Sequence, residues 1–356
     1  MRESIDDIRR RIEVIDYEIL RLMANRTAAA VEMGEKKAGE SLPLRNPAVE
    51  EKVISRYVDR AREFGMSPEA AAQIAVLLIH ESIEKQGKIP RPSRQKKILI
   101  VGGSGKMGTW FCRYLASRGH KIKVSDPNDS PQFPLERDFD RGVKEAEVIV
   151  VATPVSCVKE TLEKIIELQP TALVFDISSL KTPIAPLLKK AARKDLRICS
   201  LHPMFGPDTD SIIDRNVVIC DCGNDQATED AAMLVEGART IKMKIDDHDP
   251  LIAYILGLSH AVNIAFFTAL RKSGVEYSAL YRAASTTFKK QSETSKDVAF
   301  DNAQLYYEIQ HLNPYNQDSL LHLKEAVEDL RKAAASNDNE SFLKLMEEGR
   351  KYFGGK

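Results

Sequence analysis

Residues 97–126 constrain this chain more than any other stretch. Lys97-Ile98-Leu99-Ile100-Val101 is a short, β-branched, apolar run of the kind that forms a buried strand. It enters Gly102-Gly103-Ser104-Gly105-Lys106-Met107-Gly108. A helical pattern follows on Trp110, Phe111, Tyr114 and Leu115, and Arg118-Gly119 stops it. A second strand, Lys121 to Ser125, delivers Asp126. Strand, glycine turn, helix, strand and acid stand in the order of a dinucleotide-binding unit. In that unit Gly103 allows the tight turn, Gly105 lets the backbone approach a pyrophosphate, and Gly108 lets the helix pack on the strand. The loop from Gly103 through Ser104, Lys106 and Met107 opens a helix N-terminus, whose free N–H groups suit phosphates. Asp126 sits where an acid accepts from a ribose 2′-hydroxyl and repels a 2′-phosphate, which selects NAD over NADP. Asp126-Pro127-Asn128-Asp129 also has the composition of a turn, and the two roles are compatible. A bare GxGxxG can be only a glycine-rich turn; the context on both sides favours a cofactor site.

With 356 residues the chain has room for two or three domains. Lys plus Arg equal Asp plus Glu at 52 each, so bulk charge makes no case for nucleic acid or an acidic membrane. The five cysteines, Cys112, Cys157, Cys199, Cys220 and Cys222, are odd in number and lack the paired spacing of a zinc site, so no metal is expected. A reduced, cytoplasmic setting fits that usage. The first residues have no apolar core of a signal peptide, and no run is expected to reach the length of a membrane span.

The segment before the glycine loop is helical. Ile5, Ile8, Ile12, Ile15, Ile19 and Leu22 recur at three- and four-residue steps, an apolar seam along one helix over 4–38. At roughly 1.5 Å per residue that rod is about 50 Å long. The few residues before the loop cannot cover it, so the segment is expected to pair with a second copy of itself. Asn46-Pro47 and Ser67-Pro68-Glu69 each start a further helix, the second reaching about Gln86. The basic, proline-containing stretch at 89–97 reads as a linker. Beyond the first βαβ unit, Glu147–Ala152 is a buried strand ending in Thr153-Pro154, and Leu173–Ile177 is another ending in Ser178-Ser179-Leu180-Lys181. Arg197–Ser200 leads to Leu201-His202-Pro203-Met204-Phe205-Gly206-Pro207. Ligands collect at such strand ends in open α/β sheets. From about Asp247 strand signals fade and the remainder reads as helical. The expected organisation is an all-α domain over 1–88, an α/β Rossmann domain over 98–246 and a helical domain over 247–356.

The heptapeptide Leu201–Pro207, taken with the glycine loop and Asp176-Ile177-Ser178-Ser179-Leu180-Lys181, resembles prephenate dehydrogenase. The first 90 or so residues resemble the all-helical chorismate mutases. Together they resemble the bifunctional chorismate mutase–prephenate dehydrogenase family across essentially the whole chain. The resemblance implies an intertwined N-terminal helical dimer and a C-terminal substrate and dimerisation domain. It also implies an enzyme of tyrosine biosynthesis, with chorismate and prephenate as substrates, NAD as cofactor and tyrosine as feedback ligand.

Chorismate rearranges without covalent help, so a mutase must hold two carboxylates and stabilise negative charge on the breaking ether oxygen. The resemblance assigns Arg9, Arg26 and Lys37 as the cationic groups. Arg26 and Lys37 are close to three turns apart and share a helix face, whereas Arg9 points elsewhere, toward the partner's site. Gln86 would donate to the ether oxygen beside Lys37, and Ser82 would contact a carboxylate. Asn46 and Glu50 match positions that handle the substrate hydroxyl. The family arginine before that glutamate is here Val49, so a contact is missing or is supplied by another group such as Arg45.

For the dehydrogenase, His202 matches the catalytic base at a strand-end loop, Ser179 a serine that orients it, and Lys181 an electrostatic contributor on the same loop as Ser179. His248 and His260 match pocket positions, and Lys296 stands nearest to the family's substrate-binding arginine. Thr153 and Pro154 would border the cofactor. Two other readings compete. One is an arogenate or other β-hydroxyacid dehydrogenase with a non-catalytic helical module. The other is a non-enzymatic cofactor sensor, which would have no use for a proton acceptor beside the nicotinamide.

Overall fold

The computed structural model describes residues 4–40, 42–89, 95–129, 132–335 and 339–354. Most of the expected linker at 89–97 lies outside the described residues. Residues up to Ser178 together with Leu187–Met243 form one compact unit; Ser179–Pro186 and the chain from Lys244 form a second.

In the first unit, α1 (Ile5–Gly39) starts where Ser4 and Asp7 cap one another: Ser4 Oγ accepts from the Asp7 N–H at 3.1 Å, and Asp7 accepts from the Ser4 N–H at 3.2 Å. Acids in its first turn and Lys36 and Lys37 in its last complement the helix dipole. Its apolar seam is uncovered within one chain; Ile12 and Ile15 are each 51% exposed. The helices α2 (Pro47–Glu63) and α3 (Pro68–Gly87) begin at Asn46 and Ser67, each accepting from a first-turn N–H with proline next in sequence. Leu44, Ile79 and Ile83 make a small core with Val53, Ile54 and Ile213.

A seven-stranded sheet follows, ordered β2-β1-β3-β4-β5-β6-β7. Its strands are β1 (Lys97–Val101), β2 (Lys121–Ser125), β3 (Val148–Val151), β4 (Leu173–Asp176), β5 (Ile198–Pro203), β6 (Asn216–Asp221) and β7 (Arg239–Lys244). The first five pair in parallel and β6 runs antiparallel to β5. β3, β4 and β5 are buried along their whole length, as continuous apolar strands between two helix layers must be. α4 (Lys106–Ser117) buries Phe111 and Leu115, α5 (Phe139–Glu145) Val143, and α6 (Val155–Glu167) Leu162 and Ile165; α7 (Ala185–Ala192) and α8 (Asp225–Leu234) follow in the chain. Sequence reading did not identify β7. That strand is largely exposed, so it lacks the apolar signature of its neighbours.

The second unit is helical, and α11 (Tyr277–Arg282), α13 (Ala303–Leu312) and α15 (Asn339–Tyr352) belong to it. α9 (Ile245–Ile252), a π turn (Ala253–Leu258) and α10 (Ser259–Lys272) run on as one 28-residue helix that is long and apolar enough to cross a membrane by length and composition. This corrects the expectation that no run reaches such a length. The acids at 246, 247 and 249 mask the helix in the sequence, and the π turn joins what reads as two pieces. The helix carries a wholly buried His248 and packs against α12 (Thr286–Phe300) and α14 (Asn316–Ala335). Gln310 Nε2 donates to the Gly257 carbonyl at 2.8 Å, satisfying backbone at the π turn.

Near the end of β2, Glu136 accepts from Arg141 at 2.5 Å and from Lys123 at 2.9 Å. Arg141, then Lys123, hold its carboxyl down to about 2. An unfolded glutamate titrates near 4.3, so this contribution to stability is present at neutral pH and is lost as pH falls from about 4 toward 2. Denaturant titrations of Glu136→Gln at stepped pH should show a shallower acid decline than the natural protein over that window.

Candidate active sites

The C-terminal ends of the parallel strands lie along one edge of the sheet. The chain leaves β1 for β2 on one side and reaches β3 on the other, so the crevice between β1 and β3 is the switch point where α/β sheets take ligands. Gly102 fills the turn with φ +84°, and a Cβ there would lie 2.7 Å from the Ala152 backbone. The tight turn is therefore at Gly102 and not at Gly103 as expected. Gly103 instead leaves room for Val124, which its Cβ would meet at 2.7 Å. Gly105 is the N-cap of α4 and supplies no capping side chain, so the first-turn N–H groups of that helix have no side-chain cap. A Cβ on Gly108 would sit 2.2 Å from the Gly102 carbonyl oxygen, so only glycine lets α4 begin so close to β1. Lys106 opens the helix and Met107 packs toward the core. Asp126 accepts from the Ser104 N–H at 3.0 Å and the Asn128 N–H at 2.9 Å, which fixes the carboxylate beside the loop. Across the crevice Pro154 caps α6 without a side-chain hydrogen bond, and Thr153 Oγ1 is buried with no partner among the described residues. A cradle that admits no side chain, an uncapped helix start, a fixed acid and an orphaned hydroxyl fit a dinucleotide.

Further along the same edge, Asp176 ends β4 and pairs with Ser200 of β5. Ser178 donates to the Asp176 carboxylate from its N–H at 2.9 Å and its hydroxyl at 2.6 Å. Ser200 Oγ is buried without a partner among the described residues. His202 lies inside β5, opposite Val218 of β6 and only 2% exposed, and not in the loop after the strand as expected. Antiparallel pairing with β6 extends the strand through Pro203. The residues after His202 are anchored to the glycine-loop helix. Phe205 packs on Trp110 with ring centroids 4.9 Å apart, and Trp110 Nε1 donates to the Thr209 carbonyl at 2.6 Å.

In the helical unit, Asp249 organises the segment that carries Ser179 and Lys181. Its carboxylate accepts from the Lys181 N–H at 3.0 Å, the Thr182 N–H at 2.7 Å and the His248 ring at 2.6 Å. Burial pushes the Asp249 carboxyl up, but the bonds from His248 and Thr182 outweigh it and leave it below its ordinary value. Sequence reading missed Asp249, which sits among other acids with nothing to single it out. His260 packs against Tyr306 with tilted rings, centroids 4.2 Å apart, and is driven below its ordinary value by burial; its Nδ1 has no partner among the described residues. Lys296 lies 4.8 Å over the Tyr277 ring and 5.6 Å from that of Tyr281, beside a cavity of about 480 Å³ lined by Phe266, Phe267 and Leu280.

The mutase candidates gather where α1 meets α3. Arg26 Nη1 donates to Ser82 Oγ at 2.5 Å and to the Leu78 carbonyl at 2.7 Å. Ser82 thus holds an arginine of its own chain. Gln86 packs on Gly34, whose Cβ would lie 2.6 Å from Gln86 Cγ, and its Oε1 is buried with no partner among the described residues. Lys37, one turn beyond Gly34, donates to the Leu44 carbonyl at 3.0 Å. Gly34 was not expected to matter, although a glycine inside a long helix is itself a signal of close approach. Asn46 caps α2, and Glu50 is paired with Arg45. Arg45 also bonds Asp214 at 2.7 Å, so its guanidinium bridges two carboxylates of its own chain. Arg9 stands at the exposed start of α1, 3.1 Å from Asp6.

Comparison with known proteins follows the same division. The family model for chorismate mutase type II matches residues 8–87. The prephenate dehydrogenase nucleotide-binding domain matches 131–242, and the prephenate dehydrogenase dimerization domain matches 244–348. The T-protein of Haemophilus influenzae is 25% identical, spanning 99% of this chain and 93% of that one. The T-protein of Enterobacter agglomerans is 26% identical over 85% of this chain and 80% of its own. The crystal structure of prephenate dehydrogenase from A. aeolicus in complex with hydroxyphenyl propionate and NAD+ shares the fold, with TM-score 0.59 at 18% identity over 72% of this chain and 96% of that one.

Gly108→Ala should cut NAD affinity at least about tenfold, because the methyl group cannot coexist with the Gly102 carbonyl and α4 must move off β1. Trp110, the single tryptophan, lies on that helix, so its fluorescence during NAD titration reads the loss directly.

Proposed function

The chain belongs to the family of fused chorismate mutase–prephenate dehydrogenases, and from that premise we propose how its residues divide the two reactions. The protein rearranges chorismate to prephenate and then oxidatively decarboxylates prephenate to 4-hydroxyphenylpyruvate, as steps of tyrosine biosynthesis. The observation that carries the dehydrogenase half is the strand-end edge where the glycine cradle, Thr153 and His202 lie together on one parallel sheet. NAD supplies the hydride acceptor when bound. Gly103, Gly105 and Gly108 shape its phosphate site, Asp126 faces its ribose, and Thr153 and Pro154 border it.

His202 takes the proton of the ring hydroxyl as that carbon gives up its hydride. The ring carboxylate leaves as carbon dioxide, and its bonding electrons complete the aromatic ring. A proton acceptor in hydrogen-bond reach is what this step demands of the protein. Ser179 and Lys181 belong to the same proposal; what supports Ser179 is that it follows Ser178 directly at the end of β4. His248, His260 and Lys296 are the proposed substrate groups of the helical domain.

In the mutase half, Lys37 and Gln86 stabilise the charge that develops on the ether oxygen, with Arg26 and Ser82 beside them. The exposed seam of α1 supports a homodimer in which Arg9 serves the partner's site. The cytoplasm is the proposed location, on the cysteine usage. Tyrosine is the proposed feedback ligand, on its likeness to the aromatic product; calorimetry with and without NAD tests it, and absence of binding in both removes it.

The deciding experiment is incubation with chorismate, with and without NAD, and identification of the products. Prephenate should accumulate without NAD and 4-hydroxyphenylpyruvate with it; no consumption of chorismate would reject the mutase half. His202→Asn should lower dehydrogenase turnover about 10² to 10⁴-fold while NAD binding and mutase activity change little. Near-normal turnover in that variant would assign the base to another residue.

A further inference from the structure

The mutase candidates Lys37 and Glu50 are each one hydrogen bond from the dipeptide Leu44-Arg45, and that dipeptide is held by the dinucleotide domain. We propose that Asp214, a residue of the dinucleotide domain, is a positioning residue for the mutase site, acting on Glu50 through Arg45. The assignment rests on the mutase reading above.

Arg45 donates from Nε to Glu50 at 3.0 Å and pairs with it a second time through Nη2, a planar fork on one carboxylate. The other edge of the guanidinium reaches Asp214 at 2.7 Å and the Gly237 carbonyl at 3.3 Å. Asp214 is the point where these contacts converge. Its side chain is 12% exposed and also receives Arg239 at 3.0 Å and His80 of α3. It holds a left-handed backbone conformation, φ +58°, rare for a residue with a side chain. Its neighbour Ile213 packs against the Leu44, Ile79 and Ile83 core. On the other side, Glu236 accepts from the Leu44 N–H at 2.6 Å, and the Leu44 carbonyl accepts from Lys37.

Arg45 is long and flexible, and a guanidinium held only by Glu50 would carry that carboxylate with it wherever the pair moved. The second carboxylate fixes the guanidinium in space, and the fork then fixes Glu50. Burial pushes the Asp214 carboxyl up, but Arg45 and its other cationic neighbours more than reverse this, so it stays charged at neutral pH. The dinucleotide domain therefore supplies a fixed negative charge on which the substrate-hydroxyl group of the mutase depends.

Chorismate and prephenate kinetics of full-length Asp214→Asn test this. Glu50 is assigned to a substrate hydroxyl, a contact made equally in ground and transition states, so its displacement acts on KM. The chorismate KM should rise about tenfold with kcat within about twofold, and oxidation of supplied prephenate should be unchanged. Arg45→Gln should raise KM alike, and Asp214→Asn combined with Arg45→Gln should be no worse than either alone. Asp214→Glu should recover part of the affinity. A merely structural role would lower Tm and the active fraction and leave the chorismate KM in place. A natural-level KM in Asp214→Asn, or additive effects of the two substitutions, overturns the proposal. If Asp214→Asn does not fold, a natural-level KM in Arg45→Gln overturns it equally. A natural protein that does not turn over chorismate removes the mutase reading itself, which is a different result.

Discussion

The start of α4 lies against the turn that leaves β1, and the rest of the dinucleotide site depends on that contact. The missing side chain of Gly108 lets the helix begin where a methyl group would stand 2.2 Å from the Gly102 oxygen. That closeness brings the uncapped end of the helix to the crevice edge and sets Trp110 where it can hold Phe205 and the Thr209 carbonyl. The loop after His202 is thereby tied to the helix that begins at the glycine cradle.

Parallel pairing does the remaining work of assembly in this domain. β1, β3, β4 and β5 point the same way, so residues far apart in the chain come out on one edge: Gly102, Thr153, Ser178 and His202. Each strand is buried on both faces, and polar groups can appear only at its end without a desolvation cost. Asp176 and Ser200, wholly buried at that edge, mark where the sheet stops being purely apolar. In the helical unit the corresponding device is one carboxylate: Asp249 holds the backbone of Lys181 and Thr182 together with the His248 ring.

The N-terminal helices use a different principle. α1 is too long for its own chain to cover, and within one chain its grip on α3 comes from Arg26 on Ser82 and from the approach of Gln86 to Gly34. Its connection to α2 is not left to solvent, because Leu44 and Arg45 are bonded to Glu236 and Asp214.

The local order of residues was enough to determine much of this protein. Apolar runs ending in polar residues, a glycine-spaced turn between two of them, and Ser or Asn before proline at helix starts specify strands, cradle and helices, because each is a matter of neighbours in sequence. The helical phase of Arg26, Lys37 and Arg9 likewise follows from rise and turn alone. What only the tertiary structure decided concerns groups that meet across the chain. That Gly102 and not Gly103 takes the turn depends on where Ala152 and Val124 lie. That His202 is inside a strand depends on its pairing with antiparallel β6, a contact across the chain that local sequence does not show. Asp249 and Asp214 look like any surface acid in sequence; their partners are 68 and 169 residues away, and a carboxylate acquires a role only from the donors that surround it.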